Sequence, residues 1–266
     1  MKHTKMIGIL NVFIFIGTIV VNGLANIIPI NNMTTGEVAD LYPNLFVPAG
    51  ITFSIWGLIY FLLGIFTVYQ LYIAFKSNIN TPSFVDKIGI WNIVLGLSNM
   101  MWILFWHYLF VSISVIIMLI MLLSLIIIYR RLQIGKGNSS QMEVLLVHIN
   151  FSIYLGWISI ATIANITAYL VDINWDGLGI PSSIWTLALM SVGVFLSLIF
   201  IYVYRDVFYA LVVNWAYLGV YLKRTSPTVM PVRSVITWSI ICIILLTTAI
   251  VFAVLKKRIY TLDEKN

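Results

Sequence analysis

Residues 154–165 read Tyr154-Leu-Gly-Trp-Ile-Ser-Ile-Ala-Thr-Ile-Ala-Asn165 and lie in the middle of a long apolar run. Lipid gives a polar side chain no reward, so the Tyr, Trp, Ser, Thr and Asn of this run must face another helix or a cavity. At about 100° per residue, Tyr154, Trp157, Ala161 and Asn165 are spaced three, four and four apart and share one helix face. A narrow polar-aromatic stripe on an otherwise apolar helix predicts a membrane helix bundle packed around such stripes.

Composition agrees. Of 266 residues, 61% are hydrophobic and 9% charged, with a mean hydropathy of +1.03, whereas soluble chains carry roughly 25% charged residues. A soluble core of this length could not absorb that apolar surface. The net charge of +6 does not point to nucleic acid, because the basic residues sit between apolar runs, where they report topology. Cys242 is alone, which excludes an intramolecular disulfide, an iron–sulfur cluster and a Cys-based zinc site. Runs long enough to span roughly 30 Å of hydrocarbon fall at about 6–28, 48–75, 85–106, 110–129, 144–170, 183–204, 207–222 and 233–255. All read as helices, so the predicted fold class is all-α, a polytopic bundle of eight spans, with the short seventh the weakest.

Lys and Arg set the orientation. With the N-terminus inside, the inner segments hold Lys2, Lys5, Lys76, Lys87, Arg130, Arg131, Lys136, Arg205, Lys256, Lys257, Arg258 and Lys265, twelve in all; the outer ones hold three, Lys223, Arg224 and Arg233. The acidic Glu37, Asp40, Asp172 and Asp176 fall in outer connections. Lys223 and Arg224 break the rule locally, and a re-entrant seventh segment is the alternative, giving 11 against 4. The chain is therefore expected in a plasma (inner) membrane, multi-pass, with both termini cytoplasmic. Gly23-Leu24-Ala25 resembles a signal-peptide cleavage site, yet Asn11, Thr18, Asn22 and Asn26 lie within about 80° of one another on one helix face. A signal peptide needs no such stripe, so the first span is expected to be retained.

Similar stripes occur elsewhere. Asn92, Asn99, Trp102 and Trp106 share a face of the third span, and Phe53, Trp56, Tyr60 and Thr67 a face of the second. The fourth span is nearly free of polar residues and reads as a lipid-facing wall. Two readings compete: cross-helix packing of Asn, Ser, Trp and Tyr, or a small-molecule cavity lined by flat aromatic faces and a few fixed hydrogen-bonding groups. Trp175 and Trp185 fit an interfacial belt, but mid-helix Trp56, Trp102 and Trp157 do not.

Three segments resemble the translocator protein family (TspO, the tryptophan-rich sensory proteins, also called the peripheral-type benzodiazepine receptor). Pro48-Ala-Gly-Ile-Thr-Phe-Ser-Ile-Trp-Gly-Leu-Ile-Tyr60, followed by Gly64, is similar to the family's second-helix signature. Leu97-Ser-Asn-Met-Met-Trp-Ile-Leu-Phe-Trp106 is similar to its third-helix segment, and residues 154–165 to its fifth. Their order and separation also agree, over about residues 5–175. There are departures. Val47 replaces the first Pro of the Pro pair, and Gly50 replaces a pocket-mouth Trp. Ile153 replaces a Pro, and no Lys or Arg closely follows Tyr169, so the family's sterol-recognition segment is missing.

The resemblance implies a five-helix bundle over 1–175 with a cavity capped by the loop between the first two spans; residues 183–266 match nothing in the family, so 176–266 is expected to be a three-helix extension added to it. It implies planar hydrophobic ligands: porphyrin or haem, sterols, benzodiazepine-like aromatics. Planar aromatics stack on Trp and Tyr faces, so the residues' own chemistry points the same way. The loop from Pro29 to Pro43 fits a lid, with Thr34 and Glu37 spaced as a capping box for one short helix.

No Asp or Glu lies inside a span; Asp86, Glu143 and Asp206 sit at ends, which disfavours a proton-coupled carrier. No hydrolase triad, phosphate loop or metal-spaced His cluster occurs. His107 and His148 fall at opposite ends of the membrane and cannot share one haem iron. Arg205-Asp206 reads as a helix-joining ion pair. The expected function is a membrane receptor, sensor or translocator binding a planar hydrophobic ligand at Trp56, Tyr60, Asn99, Trp102, Tyr154, Trp157 and Asn165. An exporter with a path between the two helix groups, or a tetrapyrrole-modifying enzyme, are the alternatives. No catalytic residue, metal or required cofactor is expected, only a tetrapyrrole as ligand. The expected partners are a small hydrophobic ligand and the lipid bilayer, not nucleic acid, with a homodimer left open.

Overall fold

The computed structural model describes residues 2–76, 83–137 and 139–262; Lys265, counted above among the inner basic residues, lies outside them. The described residues are helical, without strands: α1 (Lys2–Ile27), α2 (Thr35–Asp40), α3 (Ile55–Lys76), α4 (Phe84–Ile88), α5 (Trp91–His107), α6 (Val111–Leu132), α7 (Gln141–Glu143), α8 (Ile149–Asp172), α9 (Ser182–Val203), α10 (Val207–Thr225) and α11 (Arg233–Leu255). The eight long helices correspond to the eight expected spans. Six stretches are long and apolar enough to cross a membrane; α5 with 17 residues and α10 with 19 complete the bundle beside them.

Two expectations need correction. The third span is not continuous. Ser83 and Asp86 form a capping box that starts α4, and Gly89 ends it at φ 59°, a left-handed conformation that glycine adopts without a Cβ clash, before α5 begins. The fourth span is not merely a lipid-facing wall. Met118, Met121 and Leu125 of α6 are fully buried, and α6 packs between α5 and α8, while Ile116 and Leu123 are exposed. A helix that is apolar all round has no stripe by which to tell its two faces apart.

The stripes do turn inward, and they meet as three polar layers. Asn11 Nδ2 donates to Gln70 Oε1 at 2.9 Å and Asn92 Nδ2 to Asn11 Oδ1 at 3.1 Å, joining α1, α3 and α5. Asn22 Nδ2 donates to Asn99 Oδ1 at 2.7 Å and Asn99 Nδ2 to the Tyr154 hydroxyl at 3.1 Å, joining α1, α5 and α8. Trp102 Nε1 donates to Asn165 Oδ1 at 3.0 Å, and Asn165 Nδ2 to Ser114 Oγ at 2.9 Å, joining α5, α8 and α6.

Helix α8 is the pivot, in contact with α6 and α10 and with Phe151, Tyr154, Leu155, Trp157 and Ile158 all at most 2% exposed. A Cβ on Gly156 would stand 3.0 Å from the Tyr209 carbonyl oxygen, so α8 and α10 meet nearly backbone to backbone. Helix α10 also grips the segment before α3: Ala49 N donates to Gly219 O at 2.9 Å and Trp215 Nε1 to Thr52 O at 3.0 Å. Helices α9 and α11 pack chiefly on α10 and on each other.

One end of the bundle carries most of the basic residues. There Asp206 is fully buried. Its carboxylate accepts from the Tyr129 hydroxyl at 2.9 Å and caps α10 through Phe208 N at 3.0 Å. Burial, its largest influence, holds that carboxyl above the ordinary range. The other end carries α2, the lid. Helix α10 starts beside Asp206 at Val207 and ends at Thr225, and in its last turn Lys223 Nζ lies 2.7 Å from Asp40 Oδ1 of the lid. Nineteen residues at about 1.5 Å each cover about 28 Å, so α10 traverses the bundle rather than turning back. The local break in the charge rule has its physical reason here: Lys223 neutralises a lid carboxylate.

Candidate functional site

At the lid end α1 and α3 part, and α2 roofs the gap. The lid is built as its sequence predicts: Thr34 N donates to Glu37 Oε2 at 2.7 Å, and Glu37 N to Thr34 Oγ1 at 3.4 Å. The Thr34 backbone and hydroxyl donors hold the Glu37 carboxyl below the usual carboxylate range. The lid is moored to the top of α5 by Trp106 Nε1 donating to Thr35 O at 3.2 Å and Asn31 Nδ2 to His107 O at 3.0 Å.

Beneath the lid is a cleft of about 670 Å³, walled by Ile19, Asn22 and Asn26 of α1 and by Phe53, Trp56 and Tyr60 on the other side. That size lies within the ~300–1,000 Å³ typical of small-molecule sites. Four glycines line it, Gly23, Gly36, Gly50 and Gly57, and at Gly23, Gly50 and Gly57 a Cβ would meet no heavy atom within 4 Å. The missing side chains are what leave the space open.

Behind the cleft sits an aromatic cluster centred on Trp56. Its ring stacks on Tyr60 (centroids 5.4 Å, planes 16° apart) and meets Trp157 edge-on at 6.1 Å, Tyr154 edge-on at 5.9 Å and Trp102 at 6.2 Å. A second, enclosed cavity of about 40 Å³ lies among Trp56, Trp102, Trp106, Trp157 and Asn165. It has room for a water or two, not for a macrocycle. The Trp157 indole N–H and the Tyr60 hydroxyl are buried with no hydrogen-bond partner, a condition native proteins rarely leave unaddressed.

The structure thus sorts the seven predicted residues. Trp56 and Tyr60 line the cleft. Trp102, Trp157 and Asn165 line only the small cavity behind it. Asn99 and Tyr154, 0% and 1% exposed, line neither; they belong to a polar layer whose outer member, Asn22, reaches the cleft wall. For Asn99, Tyr154, Trp102 and Asn165 the hydrogen bonds are the cross-helix packing kind. Sequence reasoning placed Asn22 and Asn26 on an inward stripe without assigning them to a site, and missed Gly23 and Gly57 altogether. No local pattern marks them, since a glycine shows what it leaves open only where two helices face each other.

Metal chemistry has little to work with. Among the described residues no group of three His, Cys, Asp or Glu side chains is arranged to hold an ion. His107 Nδ1 lies 2.8 Å from the Ile103 carbonyl at the lid end, and His148 Nε2 lies 3.5 Å from Glu143 at the basic end.

A family model described as TSPO-like protein matches residues 8–252, so the match runs through the C-terminal helices as well as through the segment 5–175 that carries the motifs. No curated protein and no solved structure matches the chain.

Proposed function

Because the chain belongs to the TSPO-like protein family, we propose that the cleft beneath α2 receives a planar hydrophobic small molecule, of porphyrin or sterol-like kind, and that the protein acts as its membrane receptor or translocator. The observation that carries this reading is the juxtaposition of an open cleft of about 670 Å³ with the stacked Trp56–Tyr60 pair on one wall and the Asn22 and Asn26 amides on the other. A flat apolar ligand finds aromatic faces to stack on and a few polar groups to fix its orientation. With eleven of the fourteen described basic residues away from it, the lid end would face outward.

The seam between α8 and α10 is closed by Gly156 against Tyr209. This supports binding in the cleft over passage between the two helix groups. The test is a titration of protoporphyrin IX into the purified full-length protein, read by tryptophan quenching. Saturable quenching is expected in the parent, with Gly57→Leu at least about tenfold weaker, or about 1.4 kcal/mol. Equal affinity in the two proteins would refute the assignment of the cleft.

A further inference from the structure

A third cavity, of about 330 Å³, opens at the lid end between α8, the connection after it, α9 and residues 44–46 of the segment that follows α2. Helices α8 and α9 barely touch, and Ile163, Ile166 and Leu170 of the one face Leu189 of the other across the gap. At its mouth Trp175 and Trp185 approach to 5.4 Å between ring centroids, with planes at 56°. Trp185 Nε1 donates to Gly177 O at 3.0 Å, which fixes the indole in place. Asp176 is the one charged residue lining this cavity. Its Oδ1 accepts from Leu178 N at 2.9 Å, and it is exposed at the rim.

We infer that this cavity is a binding site for a lipophilic cation, such as a quaternary ammonium or phosphonium carried on an apolar or aromatic body. The apolar walls accept the body. The indole faces attract a cation by about 0.5–1 kcal/mol when exposed and about 2 when desolvated, and the Asp176 carboxylate adds a charge that a neutral lipid would ignore and an anion would avoid. This cavity and the cleft beneath α2 share no lining residue.

Tetraphenylphosphonium and tetraphenylborate share one shape and carry opposite charges, so together they separate charge recognition from apolar fit. In detergent-solubilised full-length protein, equilibrium dialysis is expected to show the phosphonium bound at least about tenfold more tightly, equivalent to about 1.4 kcal/mol. Asp176→Asn keeps an acceptor oxygen for Leu178 N and so leaves the turn intact, but is expected to abolish that preference. Trp185→Leu is expected to weaken the phosphonium further, and Gly57→Leu to leave it unchanged. A parent that binds both ions alike, or an Asp176→Asn variant that keeps the preference, would overturn the proposal. Loss of phosphonium binding in Gly57→Leu would move the cation to the other cleft and overturn it equally.

Discussion

Gly219→Ala is a one-methyl change far from any predicted site residue, and the structure makes it costly. A Cβ at Gly219 would collide with Thr52 Oγ1 and stand 2.9 Å from Pro48 Cβ. Thr52 is 1% exposed and β-branched, so it cannot rotate away freely. Overpacking of this kind costs about 1–3 kcal/mol. Replacing a mid-helix glycine returns about 0.5–1 kcal/mol, leaving a net loss of up to about 2.5 kcal/mol. For a chain of this size that corresponds to a drop of up to roughly 10 °C in melting temperature. The same shift displaces residues 48–54, which lead into α3 and position Phe53 and Trp56 at the cleft, so porphyrin affinity falls together with stability. Thr52→Ala removes the colliding oxygen, and the double variant should recover part of the loss; a coupling of about 0.5–3 kcal/mol in the cycle would report the contact. The assays are thermal unfolding in detergent and tryptophan quenching. A Gly219→Ala protein that melts at or above the parent temperature and binds as well would refute the close seam between α10 and the start of α3.

Other consequences follow from the same geometry. Gly57→Leu should raise the melting temperature slightly, since the helix gains up to about 1 kcal/mol and the new side chain meets open space; a lower melting temperature would mean the cleft is filled. Asn165→Leu strips the Trp102 indole N–H of its acceptor and should cost about 1–3 kcal/mol, seen as a drop of several degrees in the thermal transition. Asp40→Asn breaks the Lys223 ion pair at a largely exposed carboxylate, so stability should change by less than about 1 kcal/mol, while amide exchange in α2 accelerates. Asn32→Cys should label with an impermeant maleimide from outside intact cells, because native Cys242 is buried; labelling only after permeabilisation would reverse the orientation.

What could be read from the sequence was whatever repeats along a helix. The polar stripes of α1, α3, α5 and α8 appear as amides and aromatics at helical spacing; those of α1, α5 and α8 are joined by hydrogen bonds to one another, whereas α3 enters the network through Gln70, outside its stripe. The lid was legible because Thr34 and Glu37 sit at capping-box separation. The cleft was not, because it is defined by absences: Gly23, Gly50 and Gly57 leave no mark until two helices face each other. The buried face of α6 was hidden by its uniform apolarity, and Gly89 by the hydrophobic run that continues through it. The role of α10 depends on Gly156 and Gly219 meeting residues more than 50 positions away, which no local pattern encodes. The aromatic residues were rightly placed inward, but inward led to two different places, the cleft for Trp56 and Tyr60 and a closed core for Trp102 and Trp157.

The most direct test of the central claim is an experimental structure of the full-length protein with protoporphyrin IX bound. The macrocycle is expected between α1 and α3 beneath the lid, in contact with Trp56 and Tyr60, with Asn22 and Asn26 at its edge and the pairing of Trp102 with Asn165 intact. Macrocycle density among Trp102, Trp106 and Trp157, with that pairing broken, or between α8 and α9 beside Trp185, would contradict the account.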